Sequence, residues 1–113
     1  MTFRMAFAAV ALLAACTRDP AVVHLEAGDE LLARSDFAGA AAEYARSLAS
    51  TPAQPKVWEK MAFAKLKAGD RDGAAEALAK QAEVETVPAR KADGYRNAAG
   101  VYLPDGDREK AER

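Results

Sequence analysis

Histidine, cysteine and tryptophan occur once each, as His24, Cys16 and Trp58, and aromatic residues make up only 7% of the 113. No serine stands in a Gly-x-Ser-x-Gly turn and no glycine-rich phosphate loop is present, so the sequence offers no reaction centre. Asp105-Gly106-Asp107 resembles the start of a calcium loop. It lacks the glycine at position six, and the sequence stops before a bidentate glutamate at position twelve. It reads as a turn with a cap, and Glu83 and Glu85 read as solvated charges near a helix end. Positive charge is not in excess either. Sixteen cations face 17 acids, which leaves no electrostatic footprint for nucleic acid and no basic face for anionic lipid. A long hydrophobic span is also missing: the apolar run Met5 to Ala15 is eleven residues, against about 20 for a bilayer crossing. These absences predict a chain that is not an enzyme and takes no metal, cofactor or small-molecule substrate.

The short apolar run gains meaning from its position. Arg4 precedes it and small residues end it, which is the layout of a secretory signal. Leu13-Ala14-Ala15-Cys16 resembles a bacterial lipobox, where small side chains let the peptidase reach the bond before cysteine. That resemblance implies removal of residues 1–15, a diacylglycerol on the Cys16 thiol and, usually, acylation of the new amino group. Two or three acyl chains, at about 0.8 kcal/mol per buried methylene, make a firm anchor. Residues 16–19 then form a lipidated cysteine and short tether. The domain behind them should lie within about 10 Å of the membrane, at roughly 3.5 Å per extended residue. Thr17, not aspartate, follows the cysteine, and in enteric-type sorting this points to the outer membrane over the inner. The competing readings are a plain signal peptide with an incidental cysteine, and a cytoplasmic protein with a misread start.

Cleavage would remove Arg4 and no acid, leaving one small domain with 15 cations against 17 acids. Alanine dominates it and β-branched residues are few, which predicts an all-α fold, alanine being the best helix former. Internal repetition follows. Gly69-Asp70-Arg71-Asp72-Gly73-Ala74-Ala75 echoes Ser35-Asp36-Phe37-Ala38-Gly39-Ala40-Ala41 at a period of 34, and Gly106-Asp107 repeats the pattern 37 residues after Gly69-Asp70. Such a period in helical sequence resembles the tetratricopeptide repeat, a helix–turn–helix unit that stacks into an α-solenoid. The resemblance covers residues 21–111. It divides an array over residues 20–113 into units at about 21–54, 55–88 and 92–113, the last incomplete. Laid over each other, residues 21–54 and 55–88 share seven identities.

Asp19 should cap the first helix, with Pro20 at the position where a missing N–H costs nothing. Ala27, Gly28 and Leu31 share a face, and Gly28 stands where the repeat family keeps a small residue so that the second helix can come close. Asp36 should cap that second helix, whose Ala40, Tyr44 and Leu48 form one stripe, and Thr51-Pro52 ends the unit. Pro55 opens the second unit, with Trp58 where the family favours tryptophan, Met61 and Ala62 continuing the face, and Ala74 and Leu78 answering. Lys65 and Gln81 depart from the pattern, although a lysine stem can lie along apolar surface. Three extra residues, roughly Ala89 to Lys91, precede the third unit. There Tyr95, Ala98, Ala99 and Tyr102 match, Pro104 ends the helix early and Asp107 caps a new one.

An array of two and a half units leaves the Tyr95, Ala98 and Tyr102 face open, so the expectation is a truncated record or a face covered by another molecule. His24 falls where a helix packs on its neighbour and is expected at the core edge. In the repeat family the concave face binds peptides or partner helices. By position that face would present Leu25, Asp29 and Leu32, then Lys56, Glu59, Phe63 and Lys67, then Arg96 and Asn97. Leu25 and Asp29 stand where chaperone-tail binders carry lysine and asparagine, which disfavours that specialised role. The resemblances together imply a membrane-anchored periplasmic scaffold that binds other envelope proteins, for assembly or localisation of a complex. The alternatives are a regulatory accessory subunit of an envelope enzyme, and the N-terminal part of a longer protein.

Overall fold

The computed structural model describes residues 18–102, which form five α-helices and no strand. The leader-like run, Cys16, Thr17, Pro104 and Asp105-Gly106-Asp107 lie outside that range. In chain order the helices are α1 (Pro20–Ala33), α2 (Phe37–Ser50), α3 (Pro55–Lys67), α4 (Arg71–Val84) and α5 (Pro88–Gly100). The all-α expectation is met. None of these helices is long and apolar enough to cross a membrane.

Local chemistry accounts for each boundary. Asp19 accepts the Ala21 N–H at 3.0 Å ahead of Pro20. Asp36 and Asp70, 34 residues apart, accept the N–H of Gly39 at 3.0 Å and of Gly73 at 2.9 Å, as caps of α2 and α4. An added Cβ at Gly39 or Gly73 would crowd the capping carboxylate, which would have to shift to admit a side chain. The preceding helices end alike. After α1, the Ser35 N–H bonds the Leu32 carbonyl at 3.0 Å and the Asp36 N–H bonds the Leu31 carbonyl at 2.9 Å. After α3, Gly69 bonds Leu66 at 3.1 Å and Asp70 bonds Lys65 at 2.8 Å. Both are Schellman closures, with Ser35 (φ 59°) and Gly69 (φ 87°) in the left-handed region that such a closure needs.

Each helix packs on its neighbours in sequence: α1 on α2, α2 on α3, α3 on α4 and α4 on α5. The main core joins the Ala40, Tyr44 and Leu48 stripe of α2 to Val57, Met61, Ala62 and Ala64 of α3 and Ala77 of α4. Burying Leu48 or Met61 is worth about 1.5–3 kcal/mol relative to leaving it in water. Gly28 is buried because the Tyr44 ring occupies the space its side chain would need; a Cβ there would stand 2.6 Å from Cε1. A smaller cluster holds Ala74, Ala75 and Val101 together. Gly94 of α5 meets Ala82 of α4 as closely, an added Cβ falling 2.9 Å from the alanine methyl. Residues 89–91 form part of the first turn of α5, and the Lys91 N–H bonds the Val87 carbonyl at 2.9 Å.

Candidate functional site

Three stripes converge on one trough. Lys56, Glu59 and Phe63 run along α3 at helical spacing, and Arg90, Asp93 and Asn97 run along α5. Between them Ala74, Leu78, Gln81 and Glu85 of α4 and its C-terminal cap form the floor. The trough has two compartments that share Glu59 and Asn97. The polar one, about 470 Å³, is lined by Lys56, Glu59, Gln81, Glu85, Arg90, Asp93 and Asn97, among others. The apolar one, about 280 Å³, is lined by Ala62, Phe63, Leu66, Leu78 and Val101, among others. The first falls within the range of small ligand sites and the second just below it, but both are open and shallow.

Much of the charge here is loosely tied. Lys56 reaches Glu59 at 3.5 Å and Arg96 reaches Asp93 at 2.9 Å, both as exposed pairs three residues apart. Such pairs contribute about 0.3–0.5 kcal/mol and are readily exchanged for a ligand. Glu85 turns Oε1 toward the N–H groups of Thr86 (3.0 Å) and Val87 (3.3 Å). Phe63 is 48% exposed, and the Lys67 ammonium lies 5.7 Å from its ring centroid. Gln81 is the anomaly: its Oε1 is buried and has no hydrogen-bond partner.

Of the nine residues expected on a binding face, the structure brings Lys56, Glu59, Phe63 and Asn97 into this trough, with Lys67 beside Phe63 and Arg96 behind Asp93. The three from α1 sit elsewhere. Leu25 and Leu32 lie half-buried against the main core. Asp29 accepts the Tyr44 hydroxyl at 2.6 Å and holds the Lys60 ammonium at 3.0 Å from both oxygens, which ties α1 to α2 and α3. Burial, and then that bond to Asp29, hold the Tyr44 phenol well above its ordinary pKa. Arg90, Asp93, Leu66, Leu78 and Val101 were not singled out for the site. A 3.6-residue count along α3 and α5 identifies the faces but not the offset between helices that makes them meet.

The remaining features are structural. His24 is half-buried at the core edge, its Nδ1 2.7 Å from Glu43 Oε2, and that bond is the main reason the Glu43 carboxyl is held below its ordinary range. Trp58 packs half-buried on the main core and donates Nε1–H to the Pro52 carbonyl at 2.8 Å. Lys65 is half-buried, with its stem beside Gly73. Tyr95 and Tyr102 are exposed and Ala98 half-buried; the Tyr102 hydroxyl donates to Asp72 at 2.8 Å. On the opposite surface Leu48, Pro52, Trp58, Met61 and Val84 line a mostly apolar groove, edged by the Lys80–Glu83 pair. No group of three side chains that could hold a metal ion exists among the described residues. No family model, curated protein or solved structure matches the chain.

Proposed function

We propose that the chain is a tetratricopeptide-type scaffold of the bacterial cell envelope, lipid-anchored through Cys16 on the periplasmic face, which uses the α3–α5 trough to bind segments of other envelope proteins. The observation that carries this reading is repetition: two helical hairpins, 34 residues apart, close on the same Schellman turn and aspartate cap. Stacking in sequence order leaves a groove on one side, and that groove holds four of the residues expected to contact a partner. The anchor rests on sequence alone, on Leu13-Ala14-Ala15-Cys16 and the apolar run before it. The outer membrane is the favoured location, because Thr17 follows the cysteine.

Labelling the expressing bacterium with a clickable palmitate analogue tests the anchor. Wild type should carry label and pellet with membranes, and Cys16→Ser should lose both properties. Equal labelling of the two proteins, or none, removes the anchor and with it the envelope assignment. The trough would then remain to be explained in another compartment.

A further inference from the structure

A second surface lies on α5, away from the trough, and stands apart from the binding role proposed above. Ala92, Tyr95, Ala99 and Tyr102 recur at steps of three, four and three residues, and all four are exposed. That spacing is the seam a helix presents to another helix crossing it at a shallow angle. Burial identifies the face. Gly94 and Val101 meet Ala82, Ala74 and Ala75 of α4, just as Val57 and Ala64 of α3, 37 residues earlier, are buried with α2. In that register Tyr95 and Ala99 are the counterparts of Trp58 and Ala62, the aromatic and small residues that pack in the main core with Ala77 and Leu78 of α4. α5 thus carries the same kind of helix-binding surface as α3, with no described helix upon it.

The stripe is complementary to itself. Its large and small residues stand in mirror order about the level of Asn97: Tyr95 on one side matches Ala99 on the other, and Ala92 matches Tyr102. In an antiparallel pair of α5 helices related by a two-fold axis at that level, every ring meets an alanine. A parallel pair would set Tyr95 on Tyr95 and Tyr102 on Tyr102. Charge permits the antiparallel arrangement. Arg96, close to the axis, is already neutralised by Asp93 at 2.9 Å. The two copies of Lys91 would leave at opposite ends, about 18 Å apart at 1.5 Å per residue, beyond a Debye length of about 8 Å. The Tyr102 ring is set in advance by the bond from its hydroxyl to Asp72 at 2.8 Å, so less side-chain freedom is lost on docking.

We propose that two copies of the chain pair through α5, antiparallel about this axis, each Tyr95 ring seated on the partner's Ala99 and each Tyr102 ring on the partner's Ala92. One pair of helices is a small interface, so the association is weak and is best read by covalent capture.

The test is photo-crosslinking in the expressing bacterium, with the full chain present as two differently tagged copies. Benzoylphenylalanine replaces Lys91 of one copy, at the edge of the stripe and level with the partner's Tyr102. Irradiation should give a band at twice the mass of the chain that carries both tags. Ala99→Tyr in both copies sets ring against ring and should cut that band at least about five-fold. Adding Tyr95→Ala exchanges large for small on both sides and should restore the band to within about two-fold of wild type. Both positions are exposed, so helical circular dichroism and the melting temperature should stay unchanged. A doubly tagged band that ignores these substitutions overturns the pairing, and so does a crosslink only to a different protein. A chain that gives no doubly tagged band, and whose melting temperature falls with Ala99→Tyr, overturns it as well and assigns the stripe to the chain's own residues beyond Tyr102.

Discussion

The two complete hairpins share a plan and differ in how they fill it. Both have the capping aspartate, the glycine at the third helical position and a buried alanine pair, Ala40 and Ala41 against Ala74 and Ala75. At the position of Tyr44, fully buried and bonded to Asp29, the second hairpin has half-buried Leu78. Where Gly28 admits the tyrosine ring, Ala62 stands. Val23 is 39% exposed and its counterpart Val57 only 3%, because α3 is covered on one side by α2 and on the other by α4, while α1 packs chiefly on α2. The first hairpin is thus locked, with Asp29, Tyr44 and Ser47 all hydrogen-bonded. The second is a middle piece, better covered by helices on both sides yet more open toward the groove.

Three measurements would break or sharpen that contrast. The largest effect belongs to Tyr44. Tyr44→Ala removes a fully buried ring and should cost about 3–5 kcal/mol in urea denaturation, whereas Leu78→Ala should cost at most about 2 kcal/mol. Equal losses would mean that the hairpins are packed alike. Next come the left-handed positions. Ser35→Gly should stabilise by about 1 kcal/mol and Gly69→Ser should destabilise by a similar amount, since a side chain there is strained even where space is open. If the two substitutions move the melting temperature in the same direction, the shared turn geometry is wrong. The smallest effect is electrostatic and confined to the first hairpin. The folded Glu43 pKa is lowered, so its contribution is present above the unfolded carboxylate value and is lost as pH falls through the folded one. Stability should therefore decline below about pH 4, and Glu43→Gln should flatten part of that decline. An unchanged acid limb would show that the His24–Glu43 bond does not stabilise the fold.

Features written in adjacent residues were legible before the structure. Asp19 and Asp36 as caps, Pro20 and Pro55 as helix starts, the Tyr44 stripe and the close approach at Gly28 are all local or follow a single helical period. Features that depend on the stacking offset between helices were not. Asp29 has the spacing of an outward residue, yet its carboxylate is engaged by Tyr44 and Lys60, groups 15 and 31 positions away. Gly94 gave no signal of its contact with Ala82, because neither residue belongs to the repeated pattern. Gln81 was visible as a departure from the apolar pattern. Only the geometry shows that its Oε1 is buried without a hydrogen-bond partner.

The two Schellman turns have a kinetic side. Their bonds join residues no more than five positions apart, and each helix then packs on the one before it. Little loop-closure entropy stands between an extended chain and a finished hairpin, and chains with such local contacts fold in microseconds to milliseconds. A polypeptide delivered N-terminus first to the place where it folds can therefore complete α1 and α2 before α4 arrives. Each finished hairpin then offers the next helix a surface on which to settle.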